Sequence, residues 1–190
     1  MPAQPKTSDD EIIEATLVLL ESKGPGGFSM SDVAREVGIR APSLYGRFTS
    51  RAELLDRVEL ALWRKLTEAL GTAAIASDAA RGPVETLKAQ AHAYRRFAKA
   101  NPNGYTLMYG PRARHWEDGA AARAAALAPC IPAFAALVGE AGALAAARVL
   151  TPFLHGFVSM ELSQAFRLGG ELDEAFKRGV DTIIDGLVRW

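Results

Sequence analysis

The residues most able to act on another molecule crowd into one short stretch, SMSDVAREVGIRAPSLYGRFTSRAELL, from Ser29 to Leu55. It holds Arg35, Arg40, Arg47 and Arg51 against Asp32, Glu36 and Glu53, together with Ser29, Ser31, Ser43 and Tyr45. Guanidinium groups neutralise phosphates, and short hydroxyl side chains reach base edges, so this set suits a nucleic acid backbone and groove. Catalytic and metal chemistry have much less to draw on. His92, His115 and His155 are the only histidines, and none has a His or Cys partner at metal-ligand spacing. Cys130, the only cysteine, has no activating neighbour in sequence and reads as a small buried hydrophobe. No glycine-rich phosphate loop or nucleophile elbow is present. We therefore expect no catalytic residue, no metal and no cofactor.

The elements that must position this set are helices. Ser8 and Glu11 have capping-box spacing, and Ile12, Ile13, Thr16, Leu17 and Leu20 follow on one face. Gly24 to Gly27 end that helix. Ser29 and Asp32 repeat the cap, and Met30, Val33, Ala34 and Val37 form a second, short amphipathic helix. Gly38 stands where a left-handed residue closes a helix. A third helix is predicted from Ala41 to about Phe48, with Pro42 in its first turn. Ser50 to Glu53 is another capping box, opening a longer helix that carries Leu54, Leu55, Val58, Leu62 and Leu66. Helix, glycine turn and short second helix with a small-faced N-terminal end make a helix-turn-helix.

DVAREVGI, LYGRF and SRAELL, in this order and spacing, resemble the TetR family over residues 8–60. The resemblance implies a homodimer on double-stranded operator DNA, with the third helix in the major groove. Carried over by position, Ala41, Pro42 and Ser43 would face bases, and Tyr45 and Arg47 would reach phosphates. Arg51 replaces the lysine common at the start of the fourth helix. Ser29, Ser31 and Arg40 complete the expected DNA contacts; Arg40 stands where the family often has a serine cap, and Ser31 where it often has an arginine. More weakly, AYRRFAKANPNGYTLMYG and FLHGFVSMELSQAF resemble the subgroup with a Trp-His-Gly signature, although only His155-Gly156 of that signature is present.

The rest of the chain reads as helical too, so the expected fold is all-α, about nine helices, with no strand alternation. Boundaries are expected at 1–52 for the DNA-binding domain, 53–82 for a connecting helix and linker, and 83–190 for an effector and dimerisation domain. Gly71 to Gly82 reads as loop. Pro129 and Pro132 should break an alanine-rich stretch, and Pro152 should bend a helix from Ala143 to Leu168. Tyr94, Phe97, Tyr105, Met108, Trp116, Phe134, Phe153 and His155 are the set an apolar pocket would draw on, for an unidentified apolar or amphipathic effector. Gly156, Met160 and Ser163 on the penultimate helix, and Phe176, Ile183 and Leu187 on the last, are expected to make the dimer seam.

Composition sets outer bounds. Hydrophobic residues make up 49% of the 190, enough for a core, and 22 basic residues balance 22 acidic ones. Bulk electrostatic coating of nucleic acid is excluded, while a local basic patch is not. One cysteine, no N-terminal apolar signal and no uninterrupted run of about 18 apolar residues point to a cytoplasmic protein without a membrane span. The competing function is an all-α enzyme or adaptor without DNA binding, which needs polar groups such as Glu161, Gln164 and His155 to converge in the C-terminal domain; Glu161 and Gln164, three apart, share a helix face in that reading.

Overall fold

A computed structural model describes residues 7–77, 82–110 and 117–190. The helices are α1 (Asp9–Lys23), α2 (Met30–Glu36), α3 (Ala41–Tyr45), α4 (Arg51–Ala76), α5 (Gly82–Ala100), α6 (Pro102–Tyr109), α7 (Glu117–Ala126), α8 (Ile131–Val138), α9 (Glu140–Leu162) and α10 (Leu172–Leu187). A 3₁₀ turn at Ala128–Cys130 precedes α8, so Pro129 and Pro132 break the alanine-rich stretch as expected. The fold is all-α, with no strand among the described residues.

Two compact units emerge, one of residues 1–64 and 101–122 and the other of residues 65–100 and 123–190. The boundaries expected from sequence lay elsewhere, at 52 and 82. Gly71 to Ala76 is not loop but the last part of α4, because alanine-rich sequence continues a helix at almost no side-chain entropy cost. α6 groups with the first unit because it packs on α1. Glu21 in α1 accepts from the amides of Asn103 (3.1 Å) and Gly104 (2.7 Å), and its own carbonyl accepts from Asn103 Nδ2 at 2.9 Å. A carboxylate from another helix thus serves the amide groups that start α6, which Asn101 does not cap with its side chain. Gly104 is bare for a steric reason: a Cβ there would lie 2.9 Å from Glu21 Oε1 and 3.0 Å from the Leu62 methyls. The core of this unit is Ile12, Leu20, Val33, Leu44, Phe48, Leu54, Val58 and Leu62, all buried.

In the second unit α5 packs on α8, α9 and α10, and α9 packs on α8 and α10. Leu87, Ala91, Tyr94 and Phe97 of α5 meet a core that includes Phe134, Ala146, Leu150 and Val158. Arg95 sits among them, only 7% exposed. It forms a two-pronged pair with Glu161 at 2.7 Å on each prong and a further bond to Asp173 at 2.7 Å. Its guanidinium lies 4.8 Å from the Phe176 ring centroid. Burial is tolerated because each desolvated charge has a partner in bidentate geometry.

α9 ends at Leu162, not near Leu168. Gln164 takes a left-handed backbone (φ 55°), and the Ala165 amide reaches back to the Met160 carbonyl at 2.9 Å, closing the helix. Pro152 lies inside α9 without ending it. Asp118–Val138 and Glu140–Leu162 are, by length and composition alone, apolar enough to cross a membrane. Neither is an uninterrupted apolar run, because Asp118 and Arg123 fall in the first and Arg148 and His155 in the second.

Candidate nucleic-acid interface

Hydrogen bonds fix both ends of α2. Ser29 Oγ accepts from the Asp32 amide at 3.2 Å, while the Asp32 carboxylate accepts from the Ser29 amide at 2.8 Å and hydroxyl at 2.6 Å. These bonds, with Arg35 paired alongside, hold the Asp32 pKa down to about 2. Ser29 is thus engaged in starting α2, and Arg35 shares its charge with Asp32. At the other end, the Gly38 amide reaches the Arg35 carbonyl (3.2 Å) and the Ile39 amide reaches that of Ala34 (2.9 Å), with Gly38 at φ 69°. Both closing bonds of this motif are present, so the turn into α3 has one geometry.

α3 is shorter than expected, five residues ending at Tyr45. Leu44 is fully buried and orients the helix, leaving Pro42, Ser43 and Tyr45 exposed, Tyr45 by 50%, and Ala41 half-buried. Ser31 and Arg40 are exposed as well; Arg40 occupies the cap position before α3 without a side-chain cap bond. The structure therefore brings Arg40, Ala41, Pro42, Ser43 and Tyr45 onto one short, solvent-facing segment.

Arg47 and Arg51 are less free than sequence alone suggests. Arg47 pairs with Asp9 at the start of α1 at 3.0 Å. Arg51 donates from Nε to the Phe28 carbonyl at 3.3 Å and from Nη2 to the Pro25 carbonyl, and its guanidinium covers the Phe28 ring at 4.7 Å. It clamps the start of α4 to the α1–α2 connection, a positioning duty that no local spacing announces. The capping box at Ser50 is also altered. Ser50 Oγ accepts from the Glu53 amide at 3.1 Å, but the Glu53 carboxylate takes the amide and hydroxyl of Thr49 at 2.8 and 2.6 Å. Those bonds lower the Glu53 pKa.

The residues expected around an effector are mostly core. Tyr105 and Met108 are buried in the first unit, and Tyr94, Phe97 and Phe134 in the second. The half-buried Phe153 ring occupies the space over Gly179, where an added Cβ would lie 2.3 Å away. It also stacks with Phe176 at 6.2 Å, so it is committed to α9–α10 packing. His155 is half-buried, and burial pushes its pKa down. Trp116 and His115 lie outside the described residues. Of the polar groups Glu161, Gln164 and His155, Glu161 is paired with Arg95 and Lys99, and Gln164 lies past the end of α9 with a left-handed backbone. Burial pushes the Cys130 thiol up to about 12, far from a reactive thiolate.

The expected dimer seam divides. Phe176 and Leu187 are buried within their own protomer, along with Val180 and Ile184. They cannot face a partner; both positions are corrected to intramolecular core. Gly156 and Met160 on α9 and Ser163 at its C-terminal cap are exposed, and Ile183 is half-buried on α10.

Residues 12–58 match the family described as bacterial regulatory proteins, tetR family, and residues 87–183 match the tetracyclin repressor-like C-terminal domain. The chain belongs to the TetR family and is a DNA-binding transcriptional regulator, not an enzyme. A curated relative, the uncharacterized HTH-type transcriptional regulator YobS of Bacillus subtilis, is 26% identical over 181 residues, 93% of this chain and 91% of its own. The crystal structure of BioQ with its natural double-stranded DNA operator aligns with TM-score 0.69 at 21% identity, over 97% of this chain and all of that one. A single-residue variant of TetR from Acinetobacter baumannii AYE, in complex with minocycline, aligns at 0.68 and 21%, over 97% and 98%. The two solved structures establish the shared fold.

Proposed function

We propose that the chain is a homodimeric repressor that binds a near-palindromic operator and is released from it by a small molecule. The carrying observation is the exposed N-terminal end of α3, Ala41 to Ser43 with Tyr45, held by a fully bonded turn at Gly38. A short helix with small side chains fits the major groove, and two copies about a two-fold axis demand two-fold related half-sites. The operator complex of BioQ and the minocycline complex of TetR, each on this fold, support the reading. Ser43, Pro42 and Ala41 read bases. Tyr45, Arg40, Ser31 and the parts of Arg47 and Arg51 not already engaged, with Ser29 at the edge, meet the backbone.

The dimer face comprises the outward residues of α9 and α10: Gly156, Met160, Ser163 and Ile183. Met160 is 46% exposed, and the small glycine and serine beside it permit close helix approach. His155-Gly156 supports grouping the C-terminal part with the Trp-His-Gly subgroup, and the same reading has the protein act in the cytoplasm. Selection from random DNA tests the proposal. An inverted repeat is expected; a direct repeat, or no enrichment, overturns it.

A further inference from the structure

The second unit contains a groove of about 660 Å³, within the range of small-molecule sites, and none of the expected aromatic residues lines it. A stripe of α5 carries Lys88, His92 and Arg96 into it, the end of α4 contributes Ala73 and Ala76, and α10 contributes Lys177 and Asp181. We propose that this groove binds a small amphipathic monocarboxylate, with Arg96 as the anion's partner, His92 hydrogen-bonding beside it and the alanine side chains taking the carbon skeleton.

The charges argue for this class. Lys88 is held by Asp181 at 3.0 Å and Glu85 at 3.5 Å, and Lys177 by Asp181 at 3.2 Å. Arg96 is exposed and carries no ion pair among the described residues. The groove therefore holds three cations against two carboxylates, Glu85 and Asp181, an excess of one. A single negative charge is matched, whereas a dianion meets repulsion from both carboxylates. Burial, with Arg96 and Arg95 nearby, pushes the His92 pKa down, so its imidazole is neutral and able both to donate and to accept.

Occupancy there would be felt by the rest of the unit. The His92 ring meets Phe176 edge-on at 5.4 Å, Phe176 lies under the Arg95 guanidinium, and Arg95 ties α5 to Glu161 of α9 and Asp173 of α10. A ligand that shifts His92 bears on the contacts that set α9 and α10, the proposed dimer helices. That consequence for DNA rests on the ligand-responsive reading above; binding itself does not.

Calorimetric titration of the full chain with hexanoate, octanoate and benzoate, and with the matching neutral amides, tests it. At least one carboxylate is expected to bind more tightly than its amide. Arg96→Gln and a groove-filling, uncharged Ala89→Trp should each weaken it about tenfold or more, a ΔΔG of about 1.4 kcal/mol. Arg178→Gln, an equal charge change on α10 outside the groove lining, should not. Circular dichroism confirms that each variant is folded. Carboxylates no tighter than about 1 mM, or equal affinity in Arg96→Gln, overturn the proposal. A carboxylate that releases operator DNA from Ala89→Trp as it does from the parent overturns the groove while sparing ligand-responsive repression. Failure to bind any DNA overturns the function reading while calorimetry still reads the groove.

Discussion

Replacing Arg95 by methionine should be among the most damaging single changes outside the apolar core. Methionine keeps the length and apolar stem but leaves the Glu161 side chain, 10% exposed, without its two-pronged partner. Breaking a buried pair by removing one member costs about 3–5 kcal/mol. Lys99 remains 3.0 Å from Glu161 and compensates in part, so a loss near about 3 kcal/mol is expected. The bond to Asp173 adds little because that side chain is 86% exposed. At about 2–4 °C per kcal/mol for a chain of this size, the melting temperature should fall by about 6–12 °C. The double change Arg95→Met with Glu161→Met removes both charges and should recover most of the loss. Scanning calorimetry near neutral pH reads all three. A fall under about 2 °C for Arg95→Met, or a double variant no better than the single one, refutes the argument that an unpaired buried carboxylate sets the cost.

Gly38→Ala should destabilise the first unit by about 1–2 kcal/mol from backbone strain alone, since φ is 69° and a Cβ there meets open space. Operator affinity should fall with it, and an alanine variant as stable as the parent would remove the left-handed turn from the account. Phe176→Glu should unfold the second unit, because Phe176 is fully buried, whereas Met160→Glu with Ile183→Glu should leave a folded monomer by sedimentation; a folded dimer of the latter pair refutes the proposed face. The pH dependence should have two limbs. His92 and His155 have folded pKa values below the ordinary 6.5, so their contribution is present above that value and is lost as pH falls through it. Asp32 and Glu161 are held below 3.8 and 4.5, so theirs is lost on further acidification through those values, toward about 2 for Asp32. His92→Asn should shrink the upper limb, and a melting temperature unchanged on crossing the histidine range removes that limb from the account.

Much of this protein could be read from spacing because the interactions concerned close within a few residues. The capping boxes at Ser8 and Ser29, the left-handed Gly38, the break at Pro129 and the buried face of α1 are all local, and the family motif is built from such offsets. Where two partners competed for one group, spacing misled: the Glu53 amide bonds Ser50 as its spacing predicts, but the Glu53 carboxylate bonds Thr49, four back, and not the Ser50 amide. Longer contacts left no trace in the pattern. Arg51 reaches back to Phe28, Arg47 to Asp9, and Glu21 serves the start of α6, because only the path of the chain brings them together. Arg95 carried a readable hint, a charge on the buried face of α5, but its partners in α9 and α10 did not. The last helix shows the limit most plainly. Its apolar positions declare a buried seam, yet hydrophobic burial is non-directional, and the same pattern serves a partner chain or the protomer itself. Phe153, Phe157 and His92 converging on Phe176 sent that seam inward, leaving Met160 and Ile183 to the outside.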